Sequence, residues 1–235
     1  MKQETDYKPA VSGLKVILTM IYLLFFPLML FLLAGDWQWS QGWIFSSWFM
    51  VLCITCILYL YLYNPALLVE RYKTKSGDQA GWDRYVVMLI QVSFLIWWVI
   101  MPLDAKRFRW SVEFPVWAET TGCVMLLLSG IFFFRSYRDN SFLSPLVRIQ
   151  TERLQSVVST GVYGIVRHPM YFAAVLLFIG APLLLGSLFA MIFGVIFTFL
   201  LVGRIIGEEK VMLENLKEYR EYQQKVKFRL IPYIW

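Results

Sequence analysis

The feature that most constrains this chain is a succession of apolar runs, each about 20 residues long, separated by short charged segments. A helix rises ~1.5 Å per residue and the hydrocarbon layer of a bilayer is ~30 Å thick, so runs of this length suit a membrane crossing. Four of them lie near residues 14–34, 43–63, 85–103 and 116–134. A further apolar stretch, 170–203, would overshoot the layer as one helix. Gly180, Pro182 and the Gly186-Ser187 pair interrupt it, so it reads as two short helices, 170–185 and 188–203, joined by a tight turn. The expected fold is all-α: a polytopic membrane protein of six transmembrane helices. Composition agrees, with 59% apolar and only 16% charged residues, where a soluble domain carries about 25% charge.

The distribution of basic residues sets the expected orientation. Lys106, Arg107 and Arg109 share one loop, while the other 19 of the 22 lysines and arginines fall at the N-terminus, in 64–84, in 135–169 and in 204–235. The positive-inside tendency then puts both termini on the cytoplasmic side. In a soluble protein the net charge of +6 would raise the question of nucleic acid. Between apolar spans it reads instead as topology and lipid contact, and no nucleic-acid partner is expected. Trp37, Trp39, Trp43, Trp110 and Trp117 flank the outer turns, where interfacial anchoring is their ordinary role. The first apolar run is too long for a cleaved signal peptide. Cys53 and Cys56 form a C-x-x-C inside an apolar run, and Cys123 lies in another; without polar access they read as packing residues, and no metal site is expected.

Polar chemistry concentrates late in the chain. Residues 1–134 hold four spans, and 135–235 hold a long loop, the helical hairpin and a C-terminal amphipathic helix near 208–226 with Met212, Leu216, Tyr219, Tyr222 and Val226 on one face. The loop 135–169 is too long to be a mere connection. It ends at His168, the only histidine in the chain, followed by Pro169. A residue before proline is pushed out of the helical region, and proline suits the first position of a helix. The amides of Met170, Tyr171 and Phe172 are then expected to lack helical partners, which makes this helix end suited to an anion. Arg204 and Glu208 share a helix face where the last span leaves the membrane. Because the two helices of the hairpin are antiparallel neighbours, His168 and the Arg204–Glu208 cluster should meet at one level.

Gly161-Val162-Tyr163, then Arg167-His168-Pro169-Met170-Tyr171, then Arg204-Ile205-Ile206-Gly207-Glu208-Glu209, Leu216-x-x-Tyr219-x-x-Tyr222 and a terminal Arg229-Leu230-Ile231-Pro232 together resemble the isoprenylcysteine carboxyl methyltransferase family. The likeness is strongest over 140–235. It implies S-adenosyl-L-methionine in a cytoplasmic pocket, with Gln155, Ser156, Val157, Val158, Tyr163, His168, Pro169, Met170, Tyr171 and Glu208 at cofactor-binding positions. It further implies Arg204 on the substrate side, with Arg204 and Glu208 at the reacting centre. The implied partner is a lipophilic or lipid-anchored methyl acceptor of the isoprenylcysteine kind, beside the membrane lipids themselves. One departure is visible: Asn215-Leu216-Lys217-Glu218 stands where the family has Phe-Gly, and this chain is about one residue shorter there.

Physical chemistry fits the implied cofactor. Its carboxylate suits the open amides after Pro169, its amino group suits Glu208, and its sulfonium suits the face of Tyr163 or Tyr171. A carboxylate acceptor is already ionised at pH 7 and requires no general base, which matches the scarcity of histidine and acids here. Two other enzymes carry close variants of Arg-His-Pro-x-Tyr: an NADPH-dependent reductase of the sterol-reductase type, which would favour Asn at position 170, and a phospholipid N-methyltransferase. A non-enzymatic channel or scaffold would bury charges within its spans, where the sequence offers little beyond Glu119.

Overall fold

A computed structural model describes residues 11–235. Among these residues every regular element is helical. The first pass is made of α1 (Gly13–Leu23) and α2 (Phe25–Ala34), with Leu24 as the joint. Pro27 has no N–H to donate to the Leu23 carbonyl, so a change of helix at this point is the expected response. Helix α3 (Ser40–Tyr63) returns, and α4 (Pro65–Arg71), capped by the Asn64 side chain, is a short helix outside the spans. Then come α5 (Gly81–Pro102), which continues into a π-helical turn at Leu103–Arg107, and α6 (Val116–Asp139). The hairpin is α7 (Pro169–Leu185) and α8 (Leu188–Asn215), followed by α9 (Tyr219–Lys225). Among the described residues, five passes are long and apolar enough to cross a bilayer, and α7 is a shorter apolar helix of 17 residues. The protein is an integral, multi-pass, all-helical membrane protein.

The hairpin turn is where the sequence signals put it. Gly186 closes α7 in the left-handed region at φ 79°, and the Ser187 side chain caps α8 by accepting from the Ala190 amide. Helices α6 and α7 pack closely because Gly122 has no side chain: a Cβ there would stand 2.6 Å from the Gly180 carbonyl oxygen. The main core gathers Phe45, Trp97, Trp98, Met101, Phe178 and Ala181 around α7, whose burial makes it the central helix of the bundle.

Three expectations need correction. The amphipathic helix at 208–226 is not one element. Its first half is the unbroken end of α8; Leu216 then turns extended at φ −118°, ψ 106°, and α9 begins at Tyr219. The break coincides with the Asn215–Glu218 segment that departs from the family pattern. Trp39 is not an interfacial anchor but is 2% exposed in the core, whereas Trp37, Trp43, Trp110 and Trp117 are exposed. Buried acids are also found where none was expected: Glu119 is only half-buried, whereas Asp83 and Asp104 are fully buried, one at each end of the α5 pass.

Candidate active site

The open end of the hairpin, opposite its Gly186-Ser187 turn, and the loop before it enclose a cavity of about 290 Å³. Gln155, Ser156, Val157 and Val158 line it from the loop, and Tyr163 from the short 3-10 turn Gly161–Gly164. His168, Pro169, Met170 and Tyr171 line it from the start of α7, and Arg204 and Glu208 from α8. All the residues singled out from the sequence therefore face one space. The cavity also borrows Arg71 from α4, Val87 and Gln91 from α5, and Met212, Leu216, Tyr219 and Tyr222 from the C-terminal segment.

Glu209, adjacent to Glu208, organises the wall. It is 3% exposed, and its Oε1 accepts from Arg167 Nε at 2.7 Å and pairs with His168 Nε2 at 3.2 Å. Its Oε2 accepts from Arg229 Nε at 2.9 Å and Gln223 Nε2 at 3.3 Å. Arg167 reaches further, donating through Nη1 to the Val226 and Lys227 carbonyls at 2.7 and 2.9 Å. The backbone joins in: the amides of Arg167 and His168 donate to the carbonyls of Phe228 and Arg229. Tyr222 Oη donates to the Tyr163 carbonyl at 2.7 Å. The C-terminal tail is thus fastened over the cavity by one carboxylate and two arginines. His168 faces this carboxylate with its ring.

Glu208 points the other way. Its Oε2 accepts from Tyr171 Oη at 2.8 Å, and no partner for Oε1 is found among the described residues. Arg204 makes no ion pair with Glu208. Its Nε donates to Asp83 Oδ1 at 2.9 Å and its Nη2 to the Pro145 carbonyl at 2.7 Å. Asp83 is in turn fixed by the Val147 amide and Gln79 through Oδ2. One buried aspartate in the first turn of α5 therefore sets the guanidinium plane on α8. Sequence reasoning missed both Asp83 and Glu209. Only the doubled Glu208-Glu209 hinted at the second, and nothing local marks the first.

Across the cavity, Arg148 grips Glu70 bidentately, Nε to Oε1 at 2.9 Å and Nη2 to Oε2 at 2.8 Å, and also holds Asp78 and Glu152. Burial alone would raise the Glu70 carboxyl, but hydrogen bonds from Arg148, Lys73 and Ser144 outweigh it and hold it down at about 2.

Several groups facing the cavity have capacity to spare. His168 provides no side-chain cap to α7, which leaves the Met170 and Tyr171 amides open; the Phe172 amide, expected to be free, instead donates to the His168 carbonyl at 3.1 Å. Tyr163 Oη is buried and meets no partner among the described residues. Burial pushes its phenol above the ordinary value, so it stays a neutral donor. An anion-seeking helix end, a half-used carboxylate and an unpartnered hydroxyl around one partly apolar space suit a zwitterionic small molecule.

Comparison with known proteins points in a compatible direction. Residues 117–219 match the phospholipid methyltransferase family. The chain is also similar to the Delta(14)-sterol reductase of Mus musculus, with 29% identity over 105 residues, 43% of this chain. It spans about a quarter of the length of that curated relative. The family match falls on the part of the molecule that carries the hairpin and most of the cavity lining.

Proposed function

We propose that the chain is a membrane methyltransferase that uses S-adenosyl-L-methionine and acts on a lipophilic acceptor carrying a carboxylate, in the manner of the isoprenylcysteine methyltransferases. The observation that carries this reading is the unused capacity of the cavity. The open amides of Met170 and Tyr171 stand at the positive end of α7 and suit the cofactor carboxylate. Glu208 Oε1 suits its ammonium, and Tyr163 Oη is left for a further polar atom. Val157, Val158, Met212 and Leu216 supply apolar surface. The cofactor supplies a methyl group on a sulfonium, the electrophile of the reaction.

The chain's own residues then orient and exclude water more than they move protons. Arg204, held flat by Asp83 and the Pro145 carbonyl, offers its guanidinium to an acceptor carboxylate arriving from the membrane. His168 acts through Glu209, keeping the tail over the cavity. Both termini are proposed to be cytoplasmic, with the cavity on that face.

The family match favours one second reading, a phospholipid amine as acceptor. An amine must lose its proton, and Glu208 is the carboxylate on the lining best placed to receive it. One experiment separates the two. The purified protein is given methyl-labelled S-adenosyl-L-methionine with a prenylcysteine analogue or with phosphatidylethanolamine, and the product is treated with mild base. A methyl ester releases its label as methanol, whereas an N-methyl group does not. No labelled product from either acceptor, together with no cofactor binding by titration, would remove the proposal. Arg204→Lys should lower ester formation about tenfold or more at unchanged cofactor affinity, since a point charge does not reproduce the planar fork.

A further inference from the structure

A second cavity, of about 300 Å³, lies between the N-terminal helices and α6. Its walls are almost entirely apolar: Leu23, Trp48, Cys53 and Leu60, with Phe133 and Leu177 opposite. Only its α4 end is polar. There Thr19 and Tyr72 share a hydrogen bond of 2.7 Å, and Lys15 stands 4.2 Å above the Tyr72 ring. Arg71 lies over the Tyr137 ring at 5.3 Å. Among the described residues neither Lys15 nor Arg71 has a carboxylate within ion-pair distance. On this face Lys73, Arg148, Arg167 and Arg229 are paired, and Lys15 and Arg71 are the cations without an ion pair that stand at this cavity. Two cations without counter-charge therefore mark the mouth of an apolar cavity.

The depth of the cavity identifies what fills it. Its lining on α3 runs from Leu60, near the charged end, to Trp48, twelve residues or about 18 Å along the helix. Half of a ~30 Å hydrocarbon layer is ~15 Å. The cavity therefore spans one leaflet, the length available to one acyl chain, and its cations stand where that lipid's headgroup lies. We infer that this cavity is a binding site for an anionic phospholipid, one acyl chain between α1, α3 and α6 and the phosphate between Lys15 and Arg71. The lipid is a resident and not the methyl acceptor. Most of the lining falls outside residues 117–219, so the site belongs to the helices that the family match does not cover. Arg71 lines both cavities, and the bound headgroup is thereby fixed at the wall of the candidate active site.

Native mass spectrometry of the full chain, purified in detergent and equilibrated with equimolar dioleoyl phosphatidylglycerol and dioleoyl phosphatidylcholine, tests this directly. The expected result is one retained phosphatidylglycerol at no less than a tenfold preference. Lys15→Gln combined with Arg71→Gln should abolish the preference, and Lys15→Arg with Arg71→Lys should keep it. Cys53→Trp, which fills the cavity and leaves the charges in place, should lower the retained phosphatidylglycerol at least fivefold. Equal retention of the two lipids by the native chain overturns the inference, as does a preference that survives the glutamine pair or retention that survives Cys53→Trp. Displacement of the lipid by S-adenosylhomocysteine would place it in the other cavity and overturn it too. Cofactor titration, measured separately, tests the methyltransferase reading whatever the lipid result. Should the glutamine pair fail to fold, Lys15→Gln alone, at an exposed position, is expected to reduce the preference severalfold, and an unchanged preference there also counts against the site.

Discussion

The two ends of the helical bundle each bury a carboxylate between helices, and they surround it differently. At the end with the hairpin turn, Asp104 takes only neutral donors: Ser187 Oγ at 2.6 Å, the Phe189 amide at 3.1 Å, and Ser111 through both its hydroxyl and its amide. The arrangement ties the π-helical turn after α5 to the start of α8 and closes on itself. At the opposite end the carboxylates meet cations. Glu209 gathers Arg167, His168 and Arg229, Glu70 gathers Arg148 and Lys73, and Asp83 takes Arg204. Between them Glu208, Tyr163 and two helix amides keep unused capacity. Ion pairs recruit segments from far along the chain, and here they frame a cavity, whereas the hydrogen-bonded end is a joint.

That contrast can be broken by mutation. Glu209→Ala should have the largest effect, because Arg167 and Arg229 lose their shared counter-charge and Arg167 stays buried. Removing one partner of a buried pair costs about 3–5 kcal/mol, and thermal unfolding in detergent should show it together with lost cofactor affinity. Asp104→Ala removes charged hydrogen bonds worth about 1.5–3 kcal/mol each. It should lower the melting temperature yet leave cofactor affinity unchanged, which a joint predicts and a site does not. Glu208→Ala should weaken S-adenosyl-L-methionine binding at least tenfold, ~1.4 kcal/mol, with the melting temperature near the native one. His168→Ala should match that loss in affinity but also lower stability, since it acts through Glu209.

The smallest effect concerns pH. The Glu70 carboxyl is held at about 2 in the folded chain, below the ordinary value of 4.5. A lowered folded-state value contributes stability that is complete above 4.5 and is lost as pH falls toward 2. Unfolding followed between pH 5 and 2.5 should therefore show falling stability, and Glu70→Gln should flatten that slope.

The bundle itself was legible in the sequence because bilayer thickness, glycine and proline act locally. The passes, the Gly186-Ser187 turn and the break before Pro169 all follow from runs of a few residues. The meeting of His168 with Arg204 and Glu208 was legible too, since an antiparallel hairpin forces its two ends to one level, whereas Gln155–Val158 were implied only by the family resemblance. What escaped was partnership at long range. Asp83 and Arg204 are 121 residues apart, and no periodicity encodes such a pair. Glu208 and Glu209 are chemically identical neighbours separated by a rotation of about 100° on α8. Which of them faces the cavity depends on how α8 is turned against its neighbours. The stop at Leu216 escaped because the apolar spacing of Met212, Leu216, Tyr219 and Tyr222 continues through it.

Helix α7 is short for a membrane crossing. Seventeen residues reach about 25 Å, against a hydrocarbon layer of ~30 Å. With its Gly186 end at one surface of that layer, its Pro169 end stops roughly 5 Å below the other. The open amides of Met170 and Tyr171 are therefore recessed to a depth where bulk ions screen poorly. Screening weakens attraction between exposed charges far more than between sheltered ones. An anion drawn to this helix end would be held almost independently of ionic strength.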